Sequence, residues 1–170
     1  MRYFAFLFLC FFLSFLPVNA SELEKHLQLI TLEVKTYQLP DSESLVLYGA
    51  KRRRFFTDTS YWGEAGYGAI SGKRSGYLEG GIFMGKQAQI NGLFYYDLRL
   101  FTGAGGGGSA PQGGGFIIHP TVGVGMLYSK KWLYFMEVGY IKFMNGDIMS
   151  PTFSFSVNRR FWNLEVFSDD

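Results

Sequence analysis

Apolar and polar residues alternate along residues 116–128 of the chain. Every second residue is apolar, from Phe116 through Val122 and Val124 to Tyr128, and the residues between them are smaller or more polar. A period of two held over thirteen residues predicts a β-strand whose two faces meet different surroundings. In a soluble sheet the apolar face packs on a core, whereas a membrane barrel turns that face to lipid and keeps small and polar residues inside.

Seven further stretches contain the same alternation, complete or in part, and turn residues separate them. The predicted strands are 27–39, 45–56, 61–70, 77–86, 93–102, 116–128, 132–143 and 152–161. Residues 162–170 are either a continuation of the last strand or a short tail. Eight strands of about ten residues predict an all-β fold, an antiparallel up-and-down transmembrane β-barrel in which each tilted strand crosses the bilayer once.

The connections differ between the two ends of this predicted barrel. One end receives the segments near 57–60, 87–92 and 129–131, and the other receives 40–43, 71–76, 103–115 and 144–151. The longest loop and the tightest turn therefore lie at opposite ends, as in outer-membrane barrels with short periplasmic turns and long external loops. The glycine-rich segment 103–115 lacks the lysine and the serine or threonine of a phosphate-binding loop. We interpret it as a flexible external loop, with close backbone packing as the alternative.

The N-terminal residues 1–20 are typical of a cleavable signal peptide. A short basic start precedes an apolar run over residues 4–16, and Val18 and Ala20 fit a cleavage site. An uncleaved membrane anchor is the alternative, but the run is short for a bilayer span and polar residues follow it. Residues 21–170, which contain no cysteine, are then one exported outer-membrane barrel domain that needs no disulfide.

Composition favours the same class and excludes others. Aromatic residues make up 19% of the chain, and there are 22 Gly, which suits a barrel with aromatic girdles, although a secreted β-sandwich shares part of this composition. The formal net charge of +2 is too close to neutral for general binding of nucleic acid. With two His and no cysteine after residue 20, a structural zinc site is not expected, and we predict no metal and no cofactor.

Charged residues on the predicted inner face form the candidate site. The pattern Glu, any residue, Gly, apolar residue occurs at 64–67, 79–82 and 137–140, and puts each Glu opposite the apolar stripe. Eight strands enclose an interior just wide enough for side chains, so charges buried there must pair. We predict a lumen sealed by ion pairs and hydrogen bonds around Arg99. The predicted lumen residues are Glu64, Glu79, Asp97, Arg99, His119 and Glu137.

A catalytic or conducting site on Glu64, Glu137 and His119 is the alternative interpretation of this inner face. No serine lies at an inward position beside His119, so no acyl-transfer triad is visible. We favour a lumen histidine satisfied by hydrogen bonds, and we assign no catalytic residue.

The second predicted strand carries the basic run Lys51, Arg52, Arg53 and Arg54. Near a membrane interface such a run predicts contact with anionic lipid headgroups or lipopolysaccharide phosphates, and a solvated strand end is the alternative. The partners that we expect are outer-membrane lipids, lipopolysaccharide and, during insertion, the barrel-assembly machinery. Nucleic acid is not expected, and the oligomeric state is open.

Residues 138–148, followed by a proline and an alternating terminal strand, resemble the late part of the lipid A deacylase family of small outer-membrane barrels. That family carries a Gly-Tyr strand leading into a His-x-Ser-Asn segment, in which His and Ser are the catalytic pair. Aligned on Gly139-Tyr140 and Asn145, this chain has Lys142 in place of the histidine and Met144 in place of the serine. The resemblance implies the barrel but transfers no catalytic residue.

The sequence therefore predicts a small outer-membrane protein of a Gram-negative bacterium, with a plugged polar lumen and a non-enzymatic structural or surface-interaction role. One alternative is an enzyme that modifies lipid A or phospholipid at a site near the loops 103–115 and 144–151. A second alternative is a secreted soluble β-barrel that binds an apolar ligand, with the alternation inverted.

Overall fold

The structure of the protein is a computed structural model that describes residues 22–70, 72–111 and 113–167. Residues 27–162 form one compact unit, and the described residues 22–26 and 163–167 belong to a second unit. The predicted signal peptide at 1–20 lies outside the described residues. Within the described part of the chain, no helix has the length and apolar character needed to cross a membrane.

Eight antiparallel strands form a closed barrel. The order of the strands around the barrel is their order in the chain, so the last strand lies beside the first. They are β1 (Glu22–Gln38), β2 (Ser44–Phe55), β3 (Ser60–Gly68), β4 (Leu78–Gln89), β5 (Phe94–Gly106), β6 (Phe116–Leu127), β7 (Trp132–Phe143) and β8 (Met149–Phe167). The predicted eight-stranded up-and-down barrel is confirmed. The segment from residue 162 to 167 continues β8, so the alternative of a short tail is wrong there.

β5 extends into the glycine-rich segment that we predicted to be a loop from residue 103 onward. Gly103 pairs with Gly81 of β4, and the pairing continues to Gly106. A Cβ atom at Gly103 would lie only 2.8 Å from the Cα atom of Gly81. The two backbones approach closely because neither residue has a side chain, so close backbone packing is the correct interpretation of this part.

The outer face of the barrel is apolar. In β6, the side chains of Val122, Val124 and Met126 are 46%, 55% and 44% exposed, whereas His119 and Thr121 on the other face are buried. Exposed large apolar side chains occur on all eight strands. The predicted direction of the alternation is confirmed, and the inverted alternation of a soluble ligand-binding barrel is wrong.

β3 has its faces reversed relative to the prediction. Tyr61 and Tyr67 are buried inside the barrel, whereas Trp62 and Glu64 lie on the outer face. The interior accepts such large rings because glycines lie beside them: a Cβ atom at Gly85 would lie 2.6 Å from the Cζ atom of Tyr61. The tyrosine hydroxyls also reach carboxylates within the barrel, which lipid would not provide.

Candidate functional site

The carboxylate of Glu137 on β7 is the centre of a polar network inside the barrel. Arg99 donates two hydrogen bonds to it, from Nη1 to Oε1 at 2.9 Å and from Nη2 to Oε2 at 2.8 Å. Lys51 Nζ and Ser154 Oγ donate to Oε2 at 3.3 and 3.0 Å, and Arg53 Nη2 lies 3.6 Å from Oε1. The prediction placed Arg99 at the centre. Glu137 has that position instead, because two carboxylate oxygens accept from several donors at once.

A second ion pair joins Arg53 of β2 to Asp97 of β5. Arg53 Nη1 donates to Asp97 Oδ2 at 2.9 Å and to Gln87 Oε1 at 2.8 Å. The Tyr61 hydroxyl donates to Asp97 at 2.8 Å, and the guanidinium carbon of Arg53 lies 5.2 Å from the centroid of the Tyr61 ring. Since Arg53 also contacts Glu137, this pair and the central carboxylate form one continuous network.

A third pair, Lys35 with Glu79, lies among tyrosines. Lys35 Nζ donates to Glu79 Oε1 and lies 3.9 Å from the centroid of the Tyr67 ring. The hydroxyls of Tyr37 and Tyr77 donate to Glu79 Oε2 at 3.3 and 3.4 Å. The carboxylate is therefore paired and hydrogen-bonded on both oxygens, as a charge buried this deeply requires.

The fully buried charges among the described residues sum to zero. Among the described side chains, the buried carboxylates are Glu33, Glu79, Asp97 and Glu137, and the buried cations are Lys35, Lys51, Arg53 and Arg99. Each of these eight residues is at most 6% exposed and contacts an opposite charge. Burying an ion away from water costs several kcal/mol unless a partner compensates, so a confined interior requires this balance.

Sequence reasoning missed half of these eight charges. Glu33 and Lys35 alternate with the outward apolar residues of β1, a signal that identifies them as inward. Lys51 and Arg53 were expected to contact lipid headgroups, and that expectation is wrong because both are buried in the lumen. The strand period of two divides the basic run, sending its first and third residues inward and its second and fourth outward.

Glu64 was predicted to lie in the lumen, and this is the one predicted lumen residue that the structure places elsewhere. It lies on the outer face of β3, where Arg52 Nε donates to its Oε1 at 2.6 Å. This ion pair with Arg52 compensates the charge of the Glu64 carboxylate on the outer face of the barrel. The structure brings the other five predicted residues into the interior: Glu79, Asp97, Arg99, His119 and Glu137.

His119 is buried inside the barrel, where its ring is hydrogen-bonded to a neighbouring side chain. Its Nε2 lies 2.8 Å from Thr152 Oγ1, and the Phe101 ring meets it edge-on at a centroid distance of 6.4 Å. Thr152 is also buried, which leaves almost no surface at which a substrate could meet the hydroxyl. Among the described residues, no three His, Cys, Asp or Glu side chains are grouped so that they could hold a metal ion.

Apolar side chains enclose the ion pairs at both ends of the barrel. Beside the loops lie Leu39, Leu45, Ile117, Phe143 and Ile148, and beside the short turns lie Phe55, Leu133 and Phe135, all buried. Such layers exclude water from the charges between them. The described part of the barrel interior is filled by side chains.

The chain matches no protein-family model and no curated protein. Among solved structures, a de novo designed transmembrane β-barrel is similar with a TM-score of 0.56 and 6% identity, over 84% of this chain and 100% of the designed one. The outer membrane protein Ail of Yersinia pestis in a phospholipid bilayer nanodisc gives a TM-score of 0.51 and 15% identity, over 81% of this chain and 100% of Ail. Ail bound to the heparin analogue sucrose octasulfate gives 0.50 and 11%, over 83% and 100%. At these identities the likeness concerns the fold alone, which is that of a small transmembrane barrel.

These matches do not test the resemblance to lipid A deacylases, which stays a prediction. Asn145, the residue that matches the family motif, has a φ of +63° in the loop before β8. Asn adopts this left-handed conformation more readily than most residues do, so a turn alone accounts for it. Lys142, at the position of the family histidine, is exposed on the outer face of β7.

Proposed function

We propose that this protein is a small bacterial outer-membrane β-barrel whose strands cross the bilayer and whose lumen is plugged by paired charges. The observation that carries the proposal is the polarity of the wall: apolar side chains on all strands face outward, and the fully buried charges of the described residues, four carboxylates and four cations, face inward. Monomeric soluble proteins rarely expose an apolar surface this continuous. A bilayer, in contrast, requires an apolar outer band and a closed sheet.

Cross-strand pairs of arginine and tryptophan support a membrane boundary at the short-turn end. Arg54 faces Trp62 across β2 and β3, with 4.7 Å between guanidinium carbon and ring centroid, and Arg159 faces Trp132 across β7 and β8 at 5.7 Å. Tryptophan is enriched at the bilayer interface, and arginine there extends towards the headgroups. The end with the long loops then faces the exterior of the cell.

We assign a surface-interaction role to the loop end and no reaction. Arg74 holds three loops together: it donates to Asp41 Oδ2 at 2.8 Å, to Glu43 Oε2 at 3.1 Å and to the backbone oxygen of Ser109 at 2.5 Å. A surface held in this way loses less conformational entropy on binding than separate loops would. The partners we propose are outer-membrane lipids and lipopolysaccharide, with the barrel-assembly machinery acting during insertion.

Cell fractionation tests the membrane location. We expect the protein in the outer-membrane fraction, released only by detergent, with a gel mobility that changes on heating. The proposal of a membrane barrel is wrong if the protein is a water-soluble monomer that stays folded without any amphiphile. N-terminal sequencing of the isolated protein tests cleavage after residue 20 in the same preparation.

Mass spectrometry of lipid A tests the non-enzymatic assignment. The buried His119 and Thr152 do not favour a lipid-modifying site, so we expect the same lipid A acyl pattern in cells with and without the protein. A change in acyl pattern that depends on the protein would favour the enzyme instead. Phospholipid profiles from the same cells extend the test to the second substrate class.

A further inference from the structure

Three charged side chains and a tryptophan lie together on the outer face of β2 and β3, at Arg52, Arg54, Trp62 and Glu64 (the outer-wall cluster). Arg52 Nε lies 2.6 Å from Glu64 Oε1, and Arg54 Nη2 lies 3.8 Å from the same oxygen. The guanidinium carbon of Arg54 lies 4.7 Å from the centroid of the Trp62 ring. Two arginines and one glutamate give the cluster a formal charge of +1.

The outer-wall cluster lies at the short-turn end of the barrel. The Arg54–Trp62 pair is next to the Phe55–Tyr61 pair, with which the β2–β3 ladder ends before the turn at 56–59. In the proposed orientation this turn faces the periplasm. The cluster is therefore at the level where the apolar band of the barrel meets the headgroups of the inner leaflet.

A net positive charge beside apolar side chains favours the binding of an anion. Ile30 of β1 lies opposite Arg52, and Ile82 of β4 lies opposite Glu64, and both isoleucines are exposed on the outer face. The side chains of Arg52 and Arg54 are 27% and 29% exposed, so part of each can be reached from outside the barrel. Charged side chains in a bilayer are costly unless they pair. The planar guanidinium group matches two phosphate oxygens, which makes phosphate a suitable partner.

An apolar groove begins beside the outer-wall cluster. Met84 of β4 pairs with Trp62 and lines an open groove of about 540 Å³ on the outer wall. Most of its outward lining is apolar, with Leu98, Leu100 and Pro120 on the next two strands. A groove of this kind beside a cationic cluster matches the chemistry of an anionic lipid, which has a charged head and an apolar chain.

We propose that the outer-wall cluster binds the phosphodiester of an anionic glycerophospholipid in the periplasmic leaflet, with an acyl chain in the adjoining groove. Arg54 and Arg52 contact the phosphate, and Trp62 supports the guanidinium group of Arg54. This site rests on the proposed membrane location. The position at the short-turn end selects a glycerophospholipid over lipid A, which belongs to the opposite leaflet.

Native mass spectrometry of the full barrel tests the site. The protein is reconstituted with equal amounts of phosphatidylglycerol and phosphatidylcholine, and the lipid retained per barrel is counted. We expect wild type to retain phosphatidylglycerol preferentially and Arg54→Gln to weaken its retention about fivefold, since one basic residue at an anionic surface contributes about 1 kcal/mol. Glu64→Gln should strengthen retention, because it raises the charge of the cluster. Lys142→Gln is the matched control, since it removes an exposed outer-face cation near the loop end.

The site is refuted if Arg54→Gln retains as much phosphatidylglycerol as wild type, if Lys142→Gln loses as much as Arg54→Gln, or if Glu64→Gln weakens retention. A purely structural role for the cluster predicts that last result. Insertion into vesicles and heat-modifiable mobility are measured on every variant. Failure of wild type to insert refutes the membrane location, whereas normal insertion with equal lipid retention refutes the lipid site alone.

Discussion

Replacing Glu137 with methionine tests whether the paired interior stabilises the barrel. Glu137 has three cationic neighbours, with Arg99 at 2.8 Å, Lys51 at 3.3 Å and Arg53 at 3.6 Å. The substitution keeps an unbranched side chain of similar length but leaves three buried carboxylates with four cations. The cations that remain are at most 6% exposed, so the unpaired charge meets little water.

We expect Glu137→Met to lower the free energy of unfolding by about 3–5 kcal/mol, the range for removing one partner of a buried ion pair. Arg99→Met should have an effect of the same order, since it leaves an excess carboxylate. The double variant Arg99→Met/Glu137→Met should lie within about 1 kcal/mol of wild type, because it restores neutrality. The pairs that remain in it are Lys35–Glu79, Lys51–Glu33 and Arg53–Asp97.

Urea titration of the four proteins in the same lipid vesicles measures these differences. Tryptophan fluorescence and heat-modifiable gel mobility report unfolding independently, and coincident curves establish that the transition is two-state. The shift in midpoint at constant slope then gives the change in free energy of unfolding. The two single variants and the double variant together give the coupling energy of the pair.

Two results would refute the reasoning. A Glu137→Met protein whose free energy of unfolding is within about 0.5 kcal/mol of wild type would mean that the interior tolerates an unpaired cation. A change that small is ordinarily found only for substitutions at the surface. A double variant that is as unstable as the sum of the single variants would mean that charge balance does not matter. In that case the loss comes from packing around the methionines.

Other substitutions test the outer face, the glycines and the loops. Val124→Arg should make the free energy of folding in vesicles less favourable by about 2–4 kcal/mol, because a cation near mid-bilayer meets hydrocarbon. Thr121→Ser should have little effect, and equal tolerance of the two would mean that the faces are reversed. Gly49→Ala should lower the free energy of unfolding in urea by about 1–3 kcal/mol, since a Cβ there would lie 2.7 Å from the Cγ atom of the inward Tyr67 ring. Gly66→Ala is its control, with open space around the added Cβ, and an equal loss would contradict the steric account. Arg74→Ala should speed proteinase K cleavage of the 107–115 loop without changing heat-modifiable mobility; an unchanged rate would show that the three contacts do not hold the loops.

The candidate site was predictable where the alternation is clear. Asp97 and Arg99 alternate with Leu98 and Leu100, so their inward direction follows from the pleat of the strand alone. The same argument failed in β3, where aromatic residues occur on both faces. A tyrosine ring is compatible with lipid and also with a glycine-lined interior, so the local pattern could not place Tyr61.

The sequence by itself determined the number of strands, the polarity of the two sides of the wall and the difference between the two ends. These are local properties, because the backbone pleat and the turn residues express them within each segment. Only the tertiary structure decided which charges meet. Glu137 of β7 contacts Arg53 of β2 and Arg99 of β5, and none of these strands is adjacent to another. Closure and stagger of the barrel place side chains from distant strands in one narrow interior, and no spacing along the chain encodes that geometry.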